Sequence, residues 1–241
     1  MSGMADTWRA GAMNTNTGSQ DAEKIVALPR RVATEFIGTF MLVFAAAGAD
    51  VADAVGGHEL GKLAVAAAPG LVLTAIIYAT DKISGAYFNP AVSIGFAITR
   101  HLKARDLPFY VAAQVAGAIV ASLAVAFMIG HSGTAGLTIP HSSEPQAFAV
   151  EIVFAFLLMF VGISVKEQVG YKAFGGIAIG AIVVATGIIG MGISGASMNP
   201  ARSLGPALVA SNFAGLWIYW TAPFIGAVIA VLSFKLIKDG W

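Results

Sequence analysis

Two tripeptides, Asn89-Pro90-Ala91 and Asn199-Pro200-Ala201, stand in apolar surroundings, each behind a Ser-Gly-Ala run. An Asn side chain both donates and accepts hydrogen bonds, while Pro lacks the backbone donor and is suited to the first turn of a helix. The copies lie 110 positions apart (199 − 89), in matching surroundings, and so mark an internal repeat. Arg202 follows the second copy. Glu35 and Glu151 each fall early in an apolar run, and Gln114 falls in the middle of another. Charges in such places are expensive and need a partner or water. Two chemistries suit the carboxylates: relaying protons, or accepting hydrogen bonds from non-helical backbone. Their equivalent placement in the two repeats favours the second. Gln114 reads as an interhelical brace.

Other chemistries find little support. There are no cysteines, which removes disulfides, thiolate metal sites and cysteine catalysis. His58, His101, His131 and His141 fall in predicted loops without metal-ligand spacing, so each is expected to be solvated and no metal is implied. No nucleotide loop, zinc helix or nucleophile elbow occurs, so an enzyme is not expected and no cofactor is called for. A net charge of +1 offers nothing to nucleic acid.

The elements that must position these residues follow from composition. Hydrophobic residues make up 57% of the chain and charged ones 11%, against roughly 25% charged in soluble domains, which makes this a polytopic membrane protein. The 241 residues leave room for about six to eight spans of ~20 residues. Full spans are expected over about Val32–Ala49, Leu63–Thr80, Leu107–Ile129, Ala147–Val165, Ala173–Ile193 and Gly215–Ile237, with a polar loop at Asp50–Gly61. Between them, Ser84–Phe88 and Ser194–Met198 read as loops dipping into the membrane. Each opens a short helix, Pro90–Thr99 and Pro200–Ala210. A ten-residue helix is ~15 Å long, half of a ~30 Å hydrocarbon core, so two of them can meet at the midplane. Three full spans per half is an odd number, which inverts the second repeat (about 147–238) relative to the first (about 32–130). The expected fold is therefore all-α: six transmembrane helices and two re-entrant half-helices in an inverted repeat, occupying residues 29–241.

With both termini in the cytoplasm, that side holds Arg9, Lys24, Arg30, Arg31, Lys82, Arg100, Lys103, Arg105, Lys166, Lys172, Lys235 and Lys238. The outside holds only Lys62, as the positive-inside rule requires. Residues 1–28 are polar and contain no apolar signal core, so they read as a flexible cytoplasmic tail.

The paired boxes, the extension Asn199-Pro200-Ala201-Arg202-Ser203-Leu204-Gly205-Pro206, the repeated Glu35 and Glu151, and Trp217-Ile218-Tyr219-Trp220 with Pro223 resemble the aquaporin (major intrinsic protein) family over about Val32–Ile237. The resemblance implies a passive pore for water or small neutral solutes, a homotetramer in the lipid bilayer, and a constriction built around Arg202. The physics agrees with such a pore. Two half-helix N-termini would direct positive dipole ends at one spot, disfavouring cations and hydronium. Asn89 and Asn199 would donate to the oxygen of a passing water and turn its hydrogens outward. Non-helical backbone survives at that depth only where it lines a wet cavity or is buried in protein.

On the solute, two sets of positions disagree. Ser203, Ala207, Tyr219 and Trp220 follow the water-channel pattern of the family. The four constriction positions that the family implies are Pro69, Gly187, Ala196 and Arg202, without the usual aromatic and histidine. They suggest a wide filter through which glycerol, urea, ammonia or hydrogen peroxide could pass, unless the connection between His131 and Gln146 folds in to fill it. Water is expected as the main permeant. A small-solute facilitator is one alternative, and an ion-coupled secondary transporter is another, since transporters also use inverted repeats and broken helices.

Overall fold

The computed structural model describes residues 26–130, 136–167 and 173–238, and among them the only regular secondary structure is helical. Helix α1 spans Leu28–Val55, α2 Gly61–Ser84 and α3 Pro90–Ile98. Helix α4 spans Leu107–Met128, α5 Glu144–Glu167, α6 Gly175–Gly190 and α7 Pro200–Val209. The last apolar stretch holds α8, Leu216–Tyr219, and α9, Ala222–Ile237. Helices α1 and α4 pack together, as do α5 and α9, and α2 lies along α6.

Start signals are plain in the sequence. Helices α1, α4 and α9 carry Pro in their first two positions, where a missing N–H costs nothing. Helix α2 stops at Gly85, whose φ of 94° suits the residue that can adopt it. Two glycines set the closest helix crossings. A Cβ on Gly117 would stand 2.4 Å from the Phe36 carbonyl oxygen, and one on Gly226 would stand 2.2 Å from that of Ile152. Helix α4 thus touches α1 one residue past Glu35, and α9 touches α5 one residue past Glu151.

Several boundaries differ from the sequence reading. Helix α1 runs on through Asp50 and Asp53 to Val55, so these carboxylates belong to a helix and not to a polar loop. Helix α2 likewise ends four residues later than expected, because Asp81 and Lys82 stay helical at the membrane edge. The fifth span is only 16 residues, ~24 Å at 1.5 Å per residue, shorter than a ~20-residue crossing. Its end is replaced by a turn in which the amides of Ile193, Ser194 and Gly195 all donate to the Gly190 carbonyl. The sixth is broken between Tyr219 and Ala222. Among the described residues five stretches are long and apolar enough to cross a membrane, with Gly175–Gly190 as a shorter apolar helix beside them. The expected tail lies almost wholly outside the described residues, as do His131 and Lys172.

Candidate functional site

Helices α3 and α7 begin alike. Asn89 is extended and its Oδ1 accepts from the amides of Ala91 (2.9 Å) and Val92 (3.5 Å). Asn199 does the same for Ala201 (3.0 Å) and Arg202 (3.3 Å). Each side chain also crosses to the other loop. Asn89 Nδ2 donates to the Met198 carbonyl at 2.8 Å, and Asn199 Nδ2 donates to that of Phe88 at 2.9 Å. The boxes are thereby locked head to head. This qualifies the expectation of free amides: one hydrogen of each NH2 is engaged, and the other is left for a guest. Pro90, Ala91, Pro200 and Ala201 are buried in the first turns behind the two Asn.

The loops before the boxes are strained in the same way. Ala86 and Phe88 have φ of 55° and 50°, and Ala196 and Met198 have 48° and 54°. Such conformations cost of order 1 kcal/mol or more each for non-glycine residues and persist only where the surroundings enforce them. Here a buried carboxylate does so. Glu35 accepts from Ser84 Oγ (2.7 Å) and from the amides of Tyr87 (3.1 Å) and Phe88 (2.7 Å). Glu151 accepts from Ser194 Oγ (2.7 Å) and the amides of Ser197 (2.8 Å) and Met198 (2.7 Å). Both carboxylates are 0% exposed. Gln114 Nε2 donates to Glu35 Oε2 and to Ser93 Oγ, each at 2.8 Å. Two tyrosines finish the loops: Tyr110 donates to the Ser84 carbonyl and Tyr219 to that of Ser194.

In front of these loops a cavity of about 520 Å³ runs along α2 from Val65 to Lys82, a rise of ~26 Å. Asn89, Asn199, Pro69, Gly187, Ala196 and Arg202 all line it. Glu35, Glu151 and Gln114 do not; they stand behind the loops. The markers of the water-channel pattern are also elsewhere. Ser203, Ala207 and Tyr219 are buried and outside the cavity wall, and Ser203 Oγ accepts from Thr138 Oγ1 at 2.6 Å.

Sequence reasoning missed several residues here. The connection after His131 does fold inward: Arg202 Nη1 donates to the Gly136 carbonyl at 3.1 Å, and Leu137 lines the cavity. Asp50 and His141 line it too; His141 is exposed, as expected, and also borders the cavity. Among the described residues no ion pair joins Arg202 to a carboxylate. At the far end the wall includes Asp81 and Lys166, which form an ion pair. His101 departs from expectation as well. It is half-buried, with Nδ1 2.9 Å from Thr99 Oγ1 and Nε2 3.1 Å from Glu167 Oε1. Burial holds its pKa below the ordinary histidine value despite that carboxylate. His58 also remains largely in water, its ring bonded to Asp53. No cluster of metal-ligating side chains occurs among the described residues.

Comparison with known proteins gives a consistent result. Residues 23–234 match the family described as Major intrinsic protein. Nodulin-26 from Glycine max is 39% identical over 231 residues, covering 93% of this chain and 84% of that protein. Aquaporin NIP6-1 from Arabidopsis thaliana is 37% identical, over 88% of this chain and 70% of that one. The X-ray structure of the aquaglyceroporin from Plasmodium falciparum superposes with a TM-score of 0.78 at 25% identity, covering 88% of this chain and 97% of that one. Matched over nearly its whole length, and with five apolar helices long enough to cross a bilayer, this multi-pass membrane protein belongs to the major intrinsic protein family.

Proposed function

We propose that the protein is a passive membrane channel for water and for small uncharged solutes with hydroxyl or amide groups. One observation carries this reading: a single cavity passes both Asn residues and is lined at one end by Arg202 with Pro69, Gly187 and Ala196. Two of those positions bring almost no side-chain bulk. The residues that follow the strict-water pattern lie outside the wall, so the wall itself sets the width. The relatives' names, aquaporin and aquaglyceroporin, agree with a pore for water and neutral solutes.

In this reading Asn89 and Asn199 each offer the second amide hydrogen to a permeant oxygen, and Arg202 supplies fixed donors and a positive charge that rejects cations. Glu35, Glu151 and Gln114 hold the loops. Because the two glutamates are fully buried and outside the wall, they are poorly placed to relay protons, which weighs against a pump or coupled transporter. Both termini face the cytoplasm, as the lysine and arginine distribution favours, and the chain assembles as a homotetramer with one pore per subunit, as the family implies.

Stopped-flow light scattering on proteoliposomes tests the function. Osmotic shrinkage should exceed that of empty vesicles with a low activation energy, glycerol or urea should enter, and a proton gradient should hold. A gradient that collapses as fast as water moves, or flux that saturates and follows an ion gradient, would overturn the reading. Narrowing the wall sharpens it. Gly187→His is a poor choice, because its Cβ would stand 3.0 Å from the Ala66 carbonyl and push α2 away. Pro69→Phe adds bulk from α2 itself and should cut solute flux about tenfold while slowing water far less.

A further inference from the structure

Two charged side chains grip the two backbone groups of one residue, Gly136, at the Arg202 end of the cavity. The Gly136 amide donates to Asp50 Oδ2 at 2.6 Å, and the Gly136 carbonyl accepts from Arg202 Nη1 at 3.1 Å. Asp50 comes from the last turns of α1 and Arg202 from the first turn of α7, so this residue bridges two helices that belong to different halves. Gly136 fits the bridge because its φ is 85° and because a side chain there would press on Val51 and Ala47 of α1. The next residue, Leu137, is only 8% exposed and lines the cavity beside Gly187, Ala196 and Arg202. Thr138 then anchors the strand of backbone to Ser203.

A hydrogen bond to an ionised carboxylate is shorter and stronger than a neutral one. Asp50 is therefore the firmest hold on this segment from the α1 side. Its negative charge also draws on the Arg202 guanidinium. Without it, Gly136 would keep, among the described residues, only the bond to Arg202, and Leu137 would be free to leave the wall.

We propose that Asp50 is a positioning residue for the Arg202 end of the pore: by holding the Gly136 amide it seats Leu137 in the cavity wall and keeps the Gly136 carbonyl on Arg202, and so limits the size of solute that passes. This rests on the channel reading above. It also explains how a constriction with glycine and alanine on two sides keeps a third apolar wall, supplied by the connection between α4 and α5.

The test uses the full chain in proteoliposomes and reads the ratio of glycerol (or urea) permeability to water permeability. Asp50→Ala should raise that ratio about fivefold, and Leu137→Ala, with the tie intact, should raise it by a similar factor. Asp50→Asn keeps an oxygen acceptor for the Gly136 amide and should stay within about twofold of wild type. A variant that merely folds less well loses both fluxes together and leaves the ratio where it was. If Asp50→Ala reconstitutes with an unchanged ratio, or if Asp50→Asn rises as far as Asp50→Ala, the proposal is wrong. Should Asp50→Ala fail to reconstitute, Leu137→Ala decides: an unchanged ratio overturns the proposal and a raised one supports it. A wild type that conducts neither water nor solute is a different failure, that of the channel reading itself.

Discussion

The two re-entrant loops are nearly the same object built from different neighbours. Both bend through two non-glycine residues with positive φ, both hand two amides and a serine hydroxyl to a buried glutamate, and both receive a tyrosine hydroxyl on the serine carbonyl. What differs lies around this frame. In the first half Tyr87 stacks on Phe96 and leans on Tyr110, and Gln114 adds a further donor to Glu35. In the second, Ser197 and Ser203 bond each other and reach the outer connection through Thr138. Three residues past each Asn the halves diverge most: Val92 and Arg202 hold equivalent places (92 + 110 = 202), and both line the cavity. The duplicated part makes the loops. The divergent part gives the pore two unlike ends.

The largest effect tests the duplicated part. Glu35→Ala or Glu151→Ala leaves two backbone amides and a serine hydroxyl buried without an acceptor. Removing one partner of a buried charged network costs about 3–5 kcal/mol. Both variants should lose assembly or melt far below wild type in detergent, by similar amounts. A Glu151→Ala protein with wild-type melting would show that the second loop is held by its serines and not by the carboxylate.

The next effect tests the divergence. Arg202→Val makes the second position like the first, and Val92→Arg does the reverse. Arg202→Val should fold, since the backbone bonds to Asn199 remain, and should raise proton or cation leak roughly tenfold by removing the fixed charge. Val92→Arg puts a desolvated cation beside the first box with no equivalent of Gly136 to receive it, and should abolish water flux. If Arg202→Val keeps full exclusion of protons, the half-helix dipoles alone suffice and the asymmetry serves something else.

Much of this frame could be read from the sequence, and the reason is physical. An Asn-Pro pair or a Glu in an apolar run has few affordable surroundings, so its type and depth restrict what it can do. The repeat then doubles the signal. The site was less legible where partners are far apart in the chain. Asp50 looked like a loop residue because a carboxylate next to Val51-Ala52-Asp53 reads as the end of a span, and its partner Gly136 lies 86 residues on. His101 was read as solvated for want of metal spacing, yet Glu167 of α5 covers it. The four constriction positions came from the family resemblance. Nothing local announced that Leu137 would stand among them.

Gln114 gives a smaller, one-sided effect. It supplies Glu35 with a donor for which the second half has no counterpart, and it ties Ser93 of α3 to the same point. Gln114→Met keeps the volume and removes two hydrogen bonds, one of them to a charged group. A loss of about 2 kcal/mol is expected, seen as a lowered melting temperature with water flux per folded channel unchanged. If flux falls while stability holds, Gln114 acts on the pore and not on the brace.

The smallest effect comes from the tyrosines, and it asks how faithful the duplication is. Tyr110→Phe and Tyr219→Phe each delete one oxygen and leave the ring in place. In each case a carbonyl, that of Ser84 or of Ser194, loses its donor in a dry setting, which costs about 1 kcal/mol. The rings have different company. Arg31 lies over Tyr110, whereas Tyr219 packs with Ala147, Ile218 and Ala222. Because phenylalanine retains the ring contacts, that difference should cancel, and only the hydroxyl should be felt. Equal losses from the two variants, measured by thermal melting in the same detergent, are therefore expected, and the double variant should lose their sum because the two hydroxyls serve separate loops. A Tyr219→Phe loss clearly above that of Tyr110→Phe would mean that the second loop, without a Gln114 behind its glutamate, leans on its tyrosine to do what the first half shares among three side chains.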